Sequence, residues 1–159
     1  LYPVTKGATT IWERWNGIKP NGDFQYPSMN SFNHYAYGAI GEWIYNNLMG
    51  LKIDEDFPGF KRYTIEPIFD ENFDNIDGRF DSYYGEIAVQ WSRKNGNIHL
   101  TIDIPANTSS DVILNKIDGG SWVLDDPKLA SKILERQEQK QKTSLLLGSG
   151  KYDFSFVAN

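Results

Sequence analysis

From Ser31 the apolar residues fall at Phe32, Tyr35, Ala36, Ala39, Ile40, Trp43 and, a turn later, Leu48. That three-and-four spacing lines one face of a helix. Ser31 or Asn30 can cap its first turn, and Gly50 stands where a left-handed stop residue belongs. The pattern therefore predicts one main helix over about 31–49. Before it, residues 1–29 show no sustained period and hold Pro3, Gly7, Gly17, Pro20, Asn21-Gly22 and Pro27. This reads as a long loop, with a short helical turn around Trp12–Trp15 at most. A loop of that length inside a compact domain usually forms part of a site.

After Gly50 the period changes to two. Arg62–Ile65 and Ile68-Phe69 flank Pro67, which either interrupts the strand or places it at an edge. Ile87, Val89 and Trp91 alternate with polar or small residues, as do Ile98, Leu100, Ile102 and Ile104. Asn95-Gly96 between these runs is a strong hairpin signal. Further strands are expected at Val112–Leu114, Trp122–Leu124, Ser144–Leu147 and around Tyr152, Phe154 and Phe156. Each is apolar on one side only, which predicts an antiparallel β-sandwich. Leu129–Lys142 breaks the pattern with Lys, Arg, Glu and Gln in helix-friendly order, and is read as a solvated helical insertion. Phe57-Pro58-Gly59 marks a boundary, giving domains of 1–57 and 58–159.

Composition narrows the chemistry. The chain of 159 residues carries a net charge of -5 and no basic patch, so neither nucleic acid nor an anionic membrane is an expected partner. There is no cysteine and there are two histidines, without metal-ligand spacing, so no metal or other cofactor is expected. No apolar run approaches the roughly 18 residues that span a bilayer. Leu1 opens the chain without Met or a signal pattern, so it reads as a piece of something longer and its localisation is unreadable.

Two residues carry candidate chemistry. Glu13 lies between Trp12 and Trp15, either paired structurally with a neighbour such as Arg14 or acting as an acid–base group in an aromatic, sugar-sized pocket. His34 shares a helical face with Gly38 and Gly41. Those glycines cost roughly 1 kcal/mol each in helix propensity, so either a neighbouring backbone or a ligand beside His34 is expected there. His99 falls on the polar side of its strand and reads as a solvated sheet residue. Asn107-Thr108-Ser109 matches a glycosylation sequon, a pattern that short sequences reach by chance.

Gly7-Ala8-Thr9-Thr10-Ile11-Trp12-Glu13-Arg14-Trp15, followed by Ser31–Gly38 and Gly41-Glu42-Trp43, resembles the carboxy-terminal part of the bacterial α-L-rhamnosidases. Pro58-Gly59-Phe60, Ser82-x-Tyr84-Gly85, Ile104-Pro105-x-Asn107-Thr108 and Gly148-Ser149-Gly150-x-Tyr152 add to the resemblance, which leaves out only the 129–142 stretch. The resemblance implies the end of a catalytic (α/α)6 barrel followed by a β-sandwich. It implies hydrolysis of terminal α-L-rhamnosyl bonds with inversion, with Glu13 as general base and His34 binding the sugar hydroxyls of a rhamnose-containing glycoside or polysaccharide. Trp12 and Trp15 would wall the pocket or pack as core. The general acid and most of the barrel belong upstream, so the chain needs that remainder as partner and is expected to be inactive alone. The alternatives are a non-catalytic β-sandwich that binds carbohydrate or is structural, and another inverting (α/α)6 glycosidase.

Overall fold

The computed structural model describes residues 2–117 and 120–157. By its internal contacts the chain falls into two compact units, Leu1–Glu42 and Trp43–Asn159.

In the first unit, Tyr2–Thr5 form a single helical turn. No helix forms around Trp12–Trp15, which is bend and turn. The backbone donors there are committed elsewhere. The Glu13 N–H donates to the Ser31 carbonyl at 2.9 Å, and the His34 N–H donates to the Ile11 carbonyl at 2.8 Å. Thr10 Oγ1 also donates to the Phe32 carbonyl. A small apolar centre follows: Trp12 is buried, edge-on to Phe32 at 5.0 Å, with Phe24 on the same ring at 5.6 Å.

This ladder also shortens the expected helix. Residues 31–34 are held by the 10–13 segment, so helical geometry begins at Tyr35 and not at Ser31. It runs as a 3-10 turn (Tyr35–Gly38), an α-helical stretch (Ala39–Trp43) and a π-helical stretch (Ile44–Leu48). Neither Ser31 nor Asn30 caps it: Asn30 donates its amide to the Tyr26 carbonyl, and His34 at the cap position forms no side-chain bond. The face read as packed is largely open here, with Tyr35 92% exposed and Ile40 and Trp43 also exposed. Leu48 is buried as expected.

Among the described residues the second unit contains ten strands: β1 (Leu51–Ile53), β2 (Arg62–Ile65), β3 (Asn75–Ser82), β4 (Gly85–Lys94), β5 (Asn97–Ile104), β6 (Ser109–Asn115), β7 (Ser121–Leu124), β8 (Ile133–Glu138), β9 (Lys142–Leu147) and β10 (Gly150–Val157). They form two five-stranded sheets, ordered β1-β2-β6-β9-β8 and β3-β4-β5-β10-β7. β1 precedes residue 58, where the sequence places the domain boundary. One buried cluster draws on both sheets, with Ile65, Val112, Leu145 and Leu147 from one and Ile87, Leu100, Ile102 and Phe154 from the other. Inward residues meet in register, Leu100 opposite Phe154 and Ile102 opposite Tyr152, because alternate side chains of a strand share a face.

Two expectations are corrected. The sandwich is not wholly antiparallel, since β2 pairs with β6 in parallel. The chain between them builds β3, β4 and β5 of the other sheet, so β6 re-enters from the same end as β2. The 129–142 stretch is not a helical insertion either. A 3-10 turn covers Pro127–Lys132, and Ile133–Glu138 is an edge strand paired with β9. Pairing with β9 overrides its helix-friendly composition, and its charged residues suit a solvent-facing sheet edge.

On that edge Glu138 accepts from Lys116 at 2.9 Å, Arg136 at 2.7 Å and Thr143 at 2.8 Å. Partial burial works to raise its pKa, but these donors outweigh it and hold the carboxyl at about 2, against an ordinary 4.5. A depressed carboxylate contributes stability that is fully present above the ordinary value and lost as pH falls toward 2. Glu138→Gln should therefore cost stability at pH 7, and the gap from the parent chain should close as pH drops from 4.5 to about 2. Urea unfolding at several pH values checks this; a gap independent of pH would contradict it.

The end of the helical stretch is fastened to the sandwich. The indole N–H of Trp91 donates to the Leu48 carbonyl at 2.9 Å in a buried setting. The Ile68 N–H donates to the Asn47 carbonyl at 2.8 Å, and the Tyr45 hydroxyl donates to the Arg79 carbonyl at 3.0 Å. The first two bonds satisfy carbonyls that a helix end leaves without partners, and the third ties the stretch to β3. Trp91→Phe keeps a ring but abandons the buried Leu48 carbonyl, so it should cost about 1–3 kcal/mol of unfolding free energy. An unchanged denaturation midpoint would count against this fastening.

Candidate active site

Glu13 and His34 lie 21 positions apart in the chain, yet the first unit sets their backbones side by side. Two bonds define this approach, Glu13 N to Ser31 O and His34 N to Ile11 O. They form because neither the threonine-rich 9–13 segment nor the 31–34 segment belongs to a helix or strand, leaving amides free to pair across. Both residues are half-buried, which suits groups that meet solvent or a ligand on one side.

Tyr37 joins the pair. Its ring sits 5.4 Å from the His34 ring, and its hydroxyl donates to the Glu13 carbonyl at 3.4 Å. The sequence gives Tyr37 no mark of a role; only the turn that follows His34 brings it back to Glu13. Trp12 packs inward as core against Phe32, whereas Trp15 is 75% exposed.

The structural alternative for Glu13 required a cation. Arg14 is engaged elsewhere: its guanidinium lies 4.7 Å over the Tyr26 ring and reaches the Met29 sulfur at 3.8 Å. Glu13 takes part in none of the ion pairs found among the described residues. Gly38 and Gly41 face open space, with no atom within 4 Å of a Cβ built at either. The expected close neighbour of that face is absent from the described residues. His34 itself precedes the helical turn and does not share its face.

Other sites offer less. His99 is exposed on β5, with Nδ1 3.4 Å from Asp125 and Nε2 3.8 Å from Asp153. Among the described residues no group of three or more potential ligands could hold a metal, and no helix is long and apolar enough to cross a membrane.

Comparison with known proteins gives the arrangement a context. Residues 1–48 match the family model described as the bacterial alpha-L-rhamnosidase 6 hairpin glycosidase domain, and residues 50–125 match the bacterial alpha-L-rhamnosidase C-terminal domain. An alpha-L-rhamnosidase of Streptomyces avermitilis is 41% identical over 111 residues, a match covering 70% of this chain and 11% of that protein. One from Formosa agariphila is 34% identical over 158 residues, covering 97% of this chain and 17% of that protein. Among solved structures, Streptomyces avermitilis alpha-L-rhamnosidase complexed with L-rhamnose superposes with a TM-score of 0.73 at 33% identity, covering 97% of this chain and 14% of that one. The chain thus spans less than a fifth of the length of these relatives. With two adjoining family models matched along it and relatives aligned over nearly its whole length, the chain belongs to the bacterial α-L-rhamnosidases, as a carboxy-terminal part.

Proposed function

We propose that the protein containing this chain hydrolyses terminal α-L-rhamnosyl bonds with inversion, and that Glu13 is its general base. In such a reaction one carboxylic acid protonates the leaving oxygen while a second carboxylate draws a proton from water on the opposite face of the sugar. Glu13 takes the second role and His34 hydrogen-bonds the rhamnose hydroxyls. The observation that supports this reading is the pairing of the 11–13 and 31–34 segments that carry the two residues, with Arg14 occupied by Tyr26 and Met29.

The first unit then belongs to the closing end of a helical catalytic barrel, and the upstream remainder of that barrel is the missing neighbour. The exposed Tyr35, Ile40 and Trp43 support this, as does the open space beside Gly38 and Gly41. Without the general acid, the isolated chain has no means of protonating the leaving group and is inactive.

The test is hydrolysis of a chromogenic α-L-rhamnoside by the full-length parent and its Glu13→Gln variant; near-normal turnover would remove Glu13 from the chemistry. His34→Ala serves as the companion. Loss of its bond to substrate should raise KM about 10–100-fold with a smaller change in kcat. Unchanged KM and kcat would strip His34 of its role.

A further inference from the structure

Three of the short motifs singled out in the sequence, Pro58-Gly59-Phe60, Ser82-x-Tyr84-Gly85 and Ile104-Pro105-x-Asn107-Thr108, play no part in the chemistry proposed above. They are far apart in the chain, yet the sandwich gathers them at one place. Lys61, next to the first, holds its ammonium 5.1 Å from the Tyr84 ring centroid and donates to the Asn107 carbonyl. A Cβ at Gly85 would meet the Pro105 Cβ at 3.2 Å. The Ser109 N–H donates back to the Lys61 carbonyl at 3.2 Å.

What this end presents is an aromatic ring held out on a stiff support. Tyr83 is 93% exposed at the tight turn between β3 and β4, where Ser82 and Gly85 are paired. The turn is locked from inside: Ser82 Oγ donates to the Gly85 carbonyl at 2.7 Å and accepts from the Tyr84 N–H at 3.2 Å. Tyr84 braces Tyr83 edge to face, with centroids 5.7 Å apart and ring planes at 81°. Asn107, also exposed, is held in the left-handed region at φ 62. A large ring left in water forgoes its burial free energy. A tyrosine braced on a neighbouring ring that itself carries a lysine ammonium is the arrangement that recognition surfaces use, since less freedom is lost on contact.

We propose that Tyr83, with Lys61 and Asn107, forms a secondary binding platform for a neutral pyranose unit of a glycan, separate from Glu13 and His34. The sugar's apolar face stacks on the Tyr83 ring, and its hydroxyls meet the Lys61 ammonium and the Asn107 amide. A neutral ligand fits better than an anion because the one ammonium already serves a carbonyl and a ring face. The proposal does not depend on the catalytic reading.

The experiment is an amide-resolved NMR titration of the 159-residue chain with methyl α-L-rhamnopyranoside and, separately, methyl β-D-glucopyranoside. Saturable shifts are expected at residues 59–61, 83–85 and 106–108, in the millimolar range of a single-sugar contact. Tyr83→Ala should weaken binding about tenfold, the scale of one lost aromatic contact, while Tyr83→Trp should retain it. Asn107→Gly, which permits the same backbone conformation, should also weaken it. No shifts at about 50 mM sugar, shifts unaltered in Tyr83→Ala, or shifts confined to residues 11–37 would overturn the platform. So would binding to neutral phosphatidylcholine vesicles, but to neither sugar, that Tyr83→Ala abolishes. The confined-shift outcome would leave the catalytic reading standing, so the two fail separately.

Discussion

Glu13→Gln in the full-length parent should lower kcat on an α-L-rhamnoside by about 10²–10⁴-fold, the usual contribution of a positioned proton acceptor. Glutamine keeps the shape of the side chain but cannot take a proton from water. The prediction is sharpened by what Glu13 does not do. It joins no ion pair among the described residues, and only its backbone is bonded, the N–H to the Ser31 carbonyl and the carbonyl to the Tyr37 hydroxyl. Removing the charge should therefore leave thermal stability nearly unchanged. A structural carboxylate would give the reverse outcome, with a lowered midpoint and preserved turnover. Measuring kcat and melting temperature on the same preparation separates the two.

The largest stability effect is expected at Gly50, not in the apolar core. Gly50 takes φ +75, and a Cβ there would lie 2.2 Å from the Glu66 carbonyl carbon and 2.3 Å from the Pro67 nitrogen. Both obstacles are backbone. They cannot yield, because the Glu66 N–H donates to the Gly50 carbonyl at 2.9 Å and Leu51 beside it pairs with Ile65. Gly50→Ala combines left-handed strain with overpacking and should cost about 3 kcal/mol or more. For a chain of this size that lowers the melting temperature by roughly 6–12 °C. A shift of one or two degrees would mean that the helix end can move away from β2, against the bonds described above.

Sequence and structure part company at identifiable residues. The alternation over Ile98–Ile104 and the Asn95-Gly96 turn were legible because a half-buried strand writes its own period, and φ of 52 and 81 at that turn needs these residues. β3 was not legible. Asp77, Arg79 and Asp81 punctuate it with charge, and it forms by pairing in full register with β4. β1 is only three residues long and exists through its pairing with β2. The start of the helix was misplaced for a related reason: a cap signal at Ser31 is local, whereas the bonds that keep 31–34 out of the helix come from residues 10–13.

The candidate site divides in the same way. Residue types alone marked Glu13 and His34 as worth watching, and the motif around them pointed to the family. Nothing in their spacing could say that their segments pair, that Arg14 turns to Tyr26, or that Tyr37 folds back onto both. By itself the sequence determined the periodicities, the turn chemistry and the inward faces of the central strands, since these depend on what each residue does with its immediate neighbours. Only the tertiary structure decided the parallel β2–β6 pair, the edge strand at Ile133–Glu138 and the approach of the 11–13 and 31–34 segments. Those depend on backbone hydrogen bonds between distant residues, and a backbone donor carries no mark in the sequence of which carbonyl it will find.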